Sequence, residues 1–127
     1  MFSHVTIGSN DLAKAKSFYD ELLKPLGLVR HLEFPTAVGY GRPGGRPQLW
    51  VLNPLDEKAA TVGNGVTIGL EADNRGSVDA AYKAAMNAGA KDEGAPGLRP
   101  HYHPDYYGAY VRDLDGNKIC VVCHKKP

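Results

Sequence analysis

From Phe2 to Ile7 the chain alternates, with Phe2, His4 and Thr6 on one side and Val5 and Ile7 on the other, the period of two that marks a half-buried strand. At Ser9-Asn10-Asp11 the period changes. Three residues able to cap a helix precede Leu12, Ala15, Phe18, Tyr19, Leu22 and Leu23, which share one helical face until Lys24-Pro25 ends the run. Three strand-like segments follow: GLVRHLEF, TAVGYGR and, after the turn Pro43-Gly44-Gly45-Arg46-Pro47, QLWVLN. The predicted order is β-α-β-β-β.

Residues 54–63 read as a polar linker, beyond which the same grammar restarts. GVTIGLEA alternates as a strand, and Asn74 and Ser77 offer caps for a helix whose stripe is Val78, Ala81, Tyr82, Ala85 and Met86. Asn87-Ala88-Gly89-Ala90 ends it. A short strand is expected near Ala90, then a long Gly/Pro/His/Tyr loop from Gly94 to Asp105, the strand YYGAYVRD, a turn at Leu114-Asp115-Gly116-Asn117, and the strand KICVVCH. The halves align: His4-Val5-Thr6-Ile7 with Thr67-Ile68-Gly69-Leu70, Phe18-Tyr19 with Ala81-Tyr82, Gly39-Tyr40-Gly41-Arg42 with Ala109-Tyr110-Val111-Arg112, and Gln48-Leu49-Trp50 with Cys120-Val121-Val122. The chain therefore reads as one domain, 1–127, built from module one (1–53) and module two (64–127).

Charge removes several partners from consideration. With 15 Lys+Arg against 14 Asp+Glu in 127 residues, the formal charge is +1, and no basic row exists to neutralise phosphates or an anionic bilayer. Neither nucleic acid nor membrane is expected as a partner. No apolar run approaches the roughly 20 residues of a spanning helix, and the opening MFSHVTIGSNDL lacks the features of a secretory signal, so a cytoplasmic location is expected. Cys120 and Cys123 lie three apart in one strand, on opposite faces, and cannot form a local disulfide.

The opening SHVTIGSNDLAKAKSFYDELL, the ending YGAYVRDLDGNKICVVCH and the doubled β-α-β-β-β order resemble the vicinal oxygen chelate superfamily, which includes glyoxalase I, extradiol dioxygenases, and fosfomycin- and bleomycin-resistance proteins. The resemblance covers nearly the whole chain. It implies an α+β fold in which two tandem βαβββ modules form a curved, cup-like mixed sheet with a cavity. It also implies a small organic ligand and a homodimer. Metal ligands in this superfamily come from equivalent strand positions, which the repeat assigns here to His4, Gln48, Thr67 and Cys120. Thr67 and Cys120 stand where His and Glu are usual, and they replace hard donors by a weak one and a thiol.

The resemblance therefore implies a small-molecule-binding protein with a degenerate metal site. No cofactor is expected in that reading. The alternative is a lyase, isomerase or dioxygenase, of lactoylglutathione-lyase or dioxygenase type, using Zn, Ni, Fe or Mn held by His4, Gln48 and Cys120, with His101 or His103 moving a proton. Trp50 shares a strand face with Gln48 and would wall the same cavity. In the Gly94–Asp105 region and just after it, Arg99, His101, Tyr102 and Tyr110 suit a ligand, while Asp105 and Tyr106 read as surface loop.

Overall fold

The computed structural model describes Met1–Pro127. Module one comprises β1 (Val5–Gly8), α1 (Leu12–Leu23), β2 (Val29–Phe34), β3 (Ala37–Gly41) and β4 (Leu49–Leu52), with a 3-10 turn at Lys24–Leu26 extending the helix. Module two comprises β5 (Ile68–Glu71), α2 (Arg75–Asn87), β6 (Lys91–Leu98), β7 (Tyr107–Arg112) and β8 (Lys118–Cys123). The sheets are ordered β1-β4-β3-β2 and β5-β8-β7-β6, each with one parallel pair, β1 with β4 and β5 with β8. The fold is the α+β tandem of βαβββ modules that the repeat implies.

Local chemistry sets the helix ends. Asp11 caps α1 by accepting the Lys14 N–H at 3.1 Å, and Asn74 caps α2 by accepting the Ser77 N–H at 2.8 Å. Ser77 itself lies inside the first turn of α2. All six apolar stripe residues of α1 are buried, whereas α2 buries the smaller Val78, Ala81 and Ala85. One cluster of 22 buried residues takes in both helices and the helix-facing side of both sheets, so the modules share a core.

A buried carboxylate fastens the modules together. Asp113 is 5% exposed and accepts the Tyr19 hydroxyl at 2.5 Å, the backbone N–H groups of Asp115 and Asn117, and the Asn117 amide. The same Asn117 amide also donates to the Gly8 carbonyl, and Asp115 accepts the Asn10 N–H at 2.7 Å. The turn before β8 is thus tied to the end of β1 and to α1, with every oxygen of the carboxylate partnered.

Two expectations are corrected. The segment read as loop from Gly94 is strand up to Leu98, and β6 is eight residues long. Its pairing to β7 is interrupted twice, between Asp92 and Gly94 and between Gly94 and Gly97, and it is the edge strand, where Pro96 and glycines are tolerated. The repeat register also shifts in the later strands. Tyr40 pairs with Leu49 and Val111 with Ile119, while Val5 pairs with Leu49 and Ile68 with Ile119. Tyr40 therefore corresponds to Val111, Gly39 to Tyr110, Trp50 to Cys120, and Gln48 to Lys118. A one-residue slip reverses a face, so Tyr40 is buried towards the helices whereas Tyr110 stands on the opposite side of its sheet.

Candidate functional site

In both sheets one face packs on the helices. Ile7, Val38, Leu49 and Val51 of sheet one, and Ala109, Val111, Ile119 and Val121 of sheet two, belong to the core. Strand alternation sends their neighbours to the other, open face. On sheet one that face carries His4, Thr6, Gln48 and Trp50, together with Val29, Leu32 and Phe34, which are 43%, 46% and 53% exposed. Trp50 stacks on Phe34 at 6.1 Å between ring centroids and lies over Gly39, where a Cβ would approach the indole to 2.9 Å.

The open face of sheet two carries a hollow of about 540 Å³. Thr67 just before β5, Gly69 of β5, Tyr110 of β7 and Lys118, Cys120 and Val122 of β8 form its floor, and Tyr102, His103 and Tyr106 from the loop after β6 form its wall with His124. Clefts of similar size beside the linker, at Asn53–Ala59 and Val62–Gly65, bring together no aromatic or imidazole groups.

Tyr106 is the hub. Its hydroxyl shares a 2.7 Å hydrogen bond with the Tyr110 hydroxyl and lies 3.5 Å from Cys120 Sγ. Its ring packs against Tyr102 at 4.9 Å, His103 at 5.6 Å and His124 at 5.4 Å. Gly108 makes this possible, because a Cβ there would fall 2.9 Å from the Tyr106 ring. Desolvation pushes the Tyr106 hydroxyl far above its ordinary pKa, helped by its bonds to Tyr110 and Cys120, and desolvation raises Tyr110 as well. Both stay protonated as donors.

The imidazoles also interlock. The Asp105 N–H donates to His103 Nδ1 at 3.1 Å, which assigns the proton of neutral His103 to Nε2. That Nε2–H points at His124 Nδ1, 2.8 Å away, and leaves the Nε2–H of neutral His124 without a protein acceptor. Arg99 lies across β6, with its Nη1 donating to the Gly97 carbonyl and Nη2 to the Ala95 carbonyl, and its guanidinium is 5.6 Å from the Tyr110 ring. Gly94 has φ 154° and no side chain, and a Cβ there would sit 3.0 Å from Arg99 Nη2.

Of the residues singled out from sequence, Thr67, Tyr102, His103, Tyr110 and Cys120 meet in the hollow, with Arg99 behind Tyr110. His101 is exposed and packs at a tilt against Tyr102, 4.3 Å between ring centroids, without lining the hollow. His4, Gln48 and Trp50 lie on the other sheet. Tyr106, read as surface loop, is the centre of the site, and Lys118 and His124 were overlooked. The signal for the last two was present, since 118, 120, 122 and 124 share a face at period two.

The metal positions implied by the resemblance do not come together within the chain. His4 is exposed with its Nδ1 2.9 Å from Ser3 Oγ, Gln48 is exposed on sheet one, and Thr67 and Cys120 belong to sheet two. No three His, Cys, Asp or Glu side chains converge as a metal site, so the donor set of a single chain does not fit a divalent ion.

The Glyoxalase/Bleomycin resistance protein/Dioxygenase superfamily profile matches residues 1–121, and the chain belongs to that superfamily. A crystal structure of a glyoxalase/bleomycin resistance protein from Albidiferax ferrireducens T118 is 39% identical with a TM-score of 0.86, and the match covers 100% of this chain and 99% of that one. A glyoxalase/bleomycin resistance protein/dioxygenase family enzyme from Burkholderia phytofirmans PsJN shares the fold at 20% identity and TM-score 0.74, covering 98% of each chain. So does a lactoylglutathione lyase from Agrobacterium tumefaciens, at 22% identity and TM-score 0.65, covering 94% of this chain and 90% of that one. No curated protein matches the sequence. No helix is long and apolar enough to cross a membrane.

Proposed function

We propose that the protein binds a small planar organic molecule in the hollow of module two, and that two copies pair so that sheet one of each roofs the hollow of the other. The observation that carries this reading is the ring-lined hollow centred on Tyr106, which is closed on the floor and one side and open above. Pocket size and lining suit a ligand of one or two rings. The pairing is supported by the contiguous apolar face of Val29, Leu32, Phe34 and Trp50, which has nothing over it within the chain. An isologous exchange covers two such faces and closes two hollows at once.

The same pairing would turn His4 and Gln48 of one copy towards Thr67 and Cys120 of the other. A metal-dependent lyase, isomerase or dioxygenase would need that arrangement, and metal analysis of the dimer purified without chelator tests it.

Trp50 supplies the main test because it is the single tryptophan and does not line the hollow of its own chain. A planar ligand such as naphthoate should quench Trp50 fluorescence only at protein concentrations where sedimentation shows a dimer. A monomer at all concentrations would overturn the pairing, and absence of ligand binding by calorimetry would overturn the site.

A further inference from the structure

The charge pattern of the hollow limits what it can hold. No carboxylate lines it. Of the acidic groups around it, Asp105 pairs with Arg75 at 3.7 Å, Glu93 with Arg112 at 2.9 Å and Asp73 with Lys125 at 3.8 Å, while Glu71, at the end of β5 opposite Val122, forms no ion pair and stands outside the lining. The cations are not engaged. Lys118, on the floor, forms no ion pair and its Nζ lies 5.5 Å from the Tyr110 ring. Arg99 near the same ring is bound by two carbonyls and no carboxylate.

Hydrogen-bond donors add to this bias. His124 offers a free Nε2–H, Thr67 a hydroxyl, and the Tyr106–Tyr110 pair has two hydroxyl protons but consumes only one in its mutual bond. Suppressed ionisation keeps both phenols as donors. A cationic ligand would find Lys118 and Arg99 with no counter-charge, whereas an anion would complete them.

Resting on the hollow being the binding site, we infer that its occupant is a planar aromatic oxyanion, a carboxylate or phenolate of naphthalene size or smaller. Its oxygen meets Lys118, and its ring lies against Tyr102 and Tyr106. Arg99 acts through Tyr110 as a fixed positive charge that positions the anion.

Calorimetric titration of the full-length protein with three probes of one shape tests this: naphthoate, naphthylmethanol and naphthylmethylammonium. At low salt naphthoate should bind about tenfold or more tightly than the alcohol, and the ammonium probe most weakly. Lys118→Gln should lower naphthoate affinity about tenfold and the alcohol's by much less, so that the preference disappears, and Arg99→Gln should reduce the preference by less. Tyr102→Ala should weaken all three probes together, which separates stacking from charge. Equal or tighter binding of the alcohol or the ammonium probe would overturn the inference while leaving the hollow as a site. No binding of any probe would overturn the site and the inference together.

Discussion

The two sheets are built on one plan and finished in opposite ways. Gly39 pairs with Trp50 on sheet one, and their counterparts Tyr110 and Cys120 pair on sheet two. In each sheet one large ring stands beside one small residue, but the positions are exchanged. Trp50 lies down over Gly39 and stacks on Phe34, which leaves a filled apolar surface. Tyr110 rises beside the small Cys120, and the space above Cys120 is the floor of the hollow. The outer strands continue the contrast. Val29, Leu32 and Phe34 of β2 correspond in register to Lys91, Gly94 and Gly97 of β6, where absent side chains make room for Arg99. Exchanging bulk between paired positions turns a lid-like face into a cup without altering the backbone plan.

Both sheets share one core, and the largest effect should come from breaking the joint between them. Asp113→Ala strands the Tyr19 hydroxyl and two backbone donors at the joint and should cost about 3 kcal/mol in urea unfolding. A loss under about 1 kcal/mol would show that the modules stand independently. The same joint sets an alkaline limit. Burial, then Asp113, raises the Tyr19 hydroxyl well above its usual value, so the folded state keeps a proton that the unfolded chain releases. Its contribution is complete below about pH 10 and falls as pH rises past that point. Urea midpoints measured between about pH 8 and 11 should fall less steeply in Tyr19→Phe.

On sheet one, Phe34→Ala and Trp50→Ala should each raise the dimer dissociation constant by about thirtyfold or more, because each change acts twice across a two-fold interface. Monomer stability should change little, as both rings lie on the open face; a dimer that tolerates both changes would mean that this face is not the lid. On sheet two, Tyr106→Phe removes the hydroxyl bridge to Tyr110 and Cys120 and should weaken naphthoate by about fivefold, roughly 1 kcal/mol, without touching the dimer. Cys120→Ser should do least, costing about 1 kcal/mol of stability as a buried near-isostere and leaving binding and metal content almost unchanged. Stoichiometric zinc in the wild type that disappears in this variant would assign the thiol to a metal.

Much of the fold was legible because both periods are strong. The α1 stripe from Leu12 to Leu23, the caps Asp11 and Asn74, and the alternation around Ile7, Val51 and Val121 each follow from local chemistry, and the doubling of the pattern fixed two modules. β6 was not legible. Its Gly94, Pro96 and Gly97 are turn residues by local preference, and only pairing with β7 along one edge makes them strand.

The amino-acid order by itself determined which residues lie on each strand face, and thus that Thr67, Cys120 and Tyr110 could share a surface. It could not determine the register between the halves, because alternation is preserved by a shift of two residues and reversed by a shift of one. Hydrogen bonding between strands separated widely in sequence made that choice, matching Gln48 with Lys118 and Trp50 with Cys120. Tyr106 became the hub for the same reason. Its neighbours Tyr102, His103, Cys120 and His124 reach it only after β7 and β8 pair and the loop after β6 folds back.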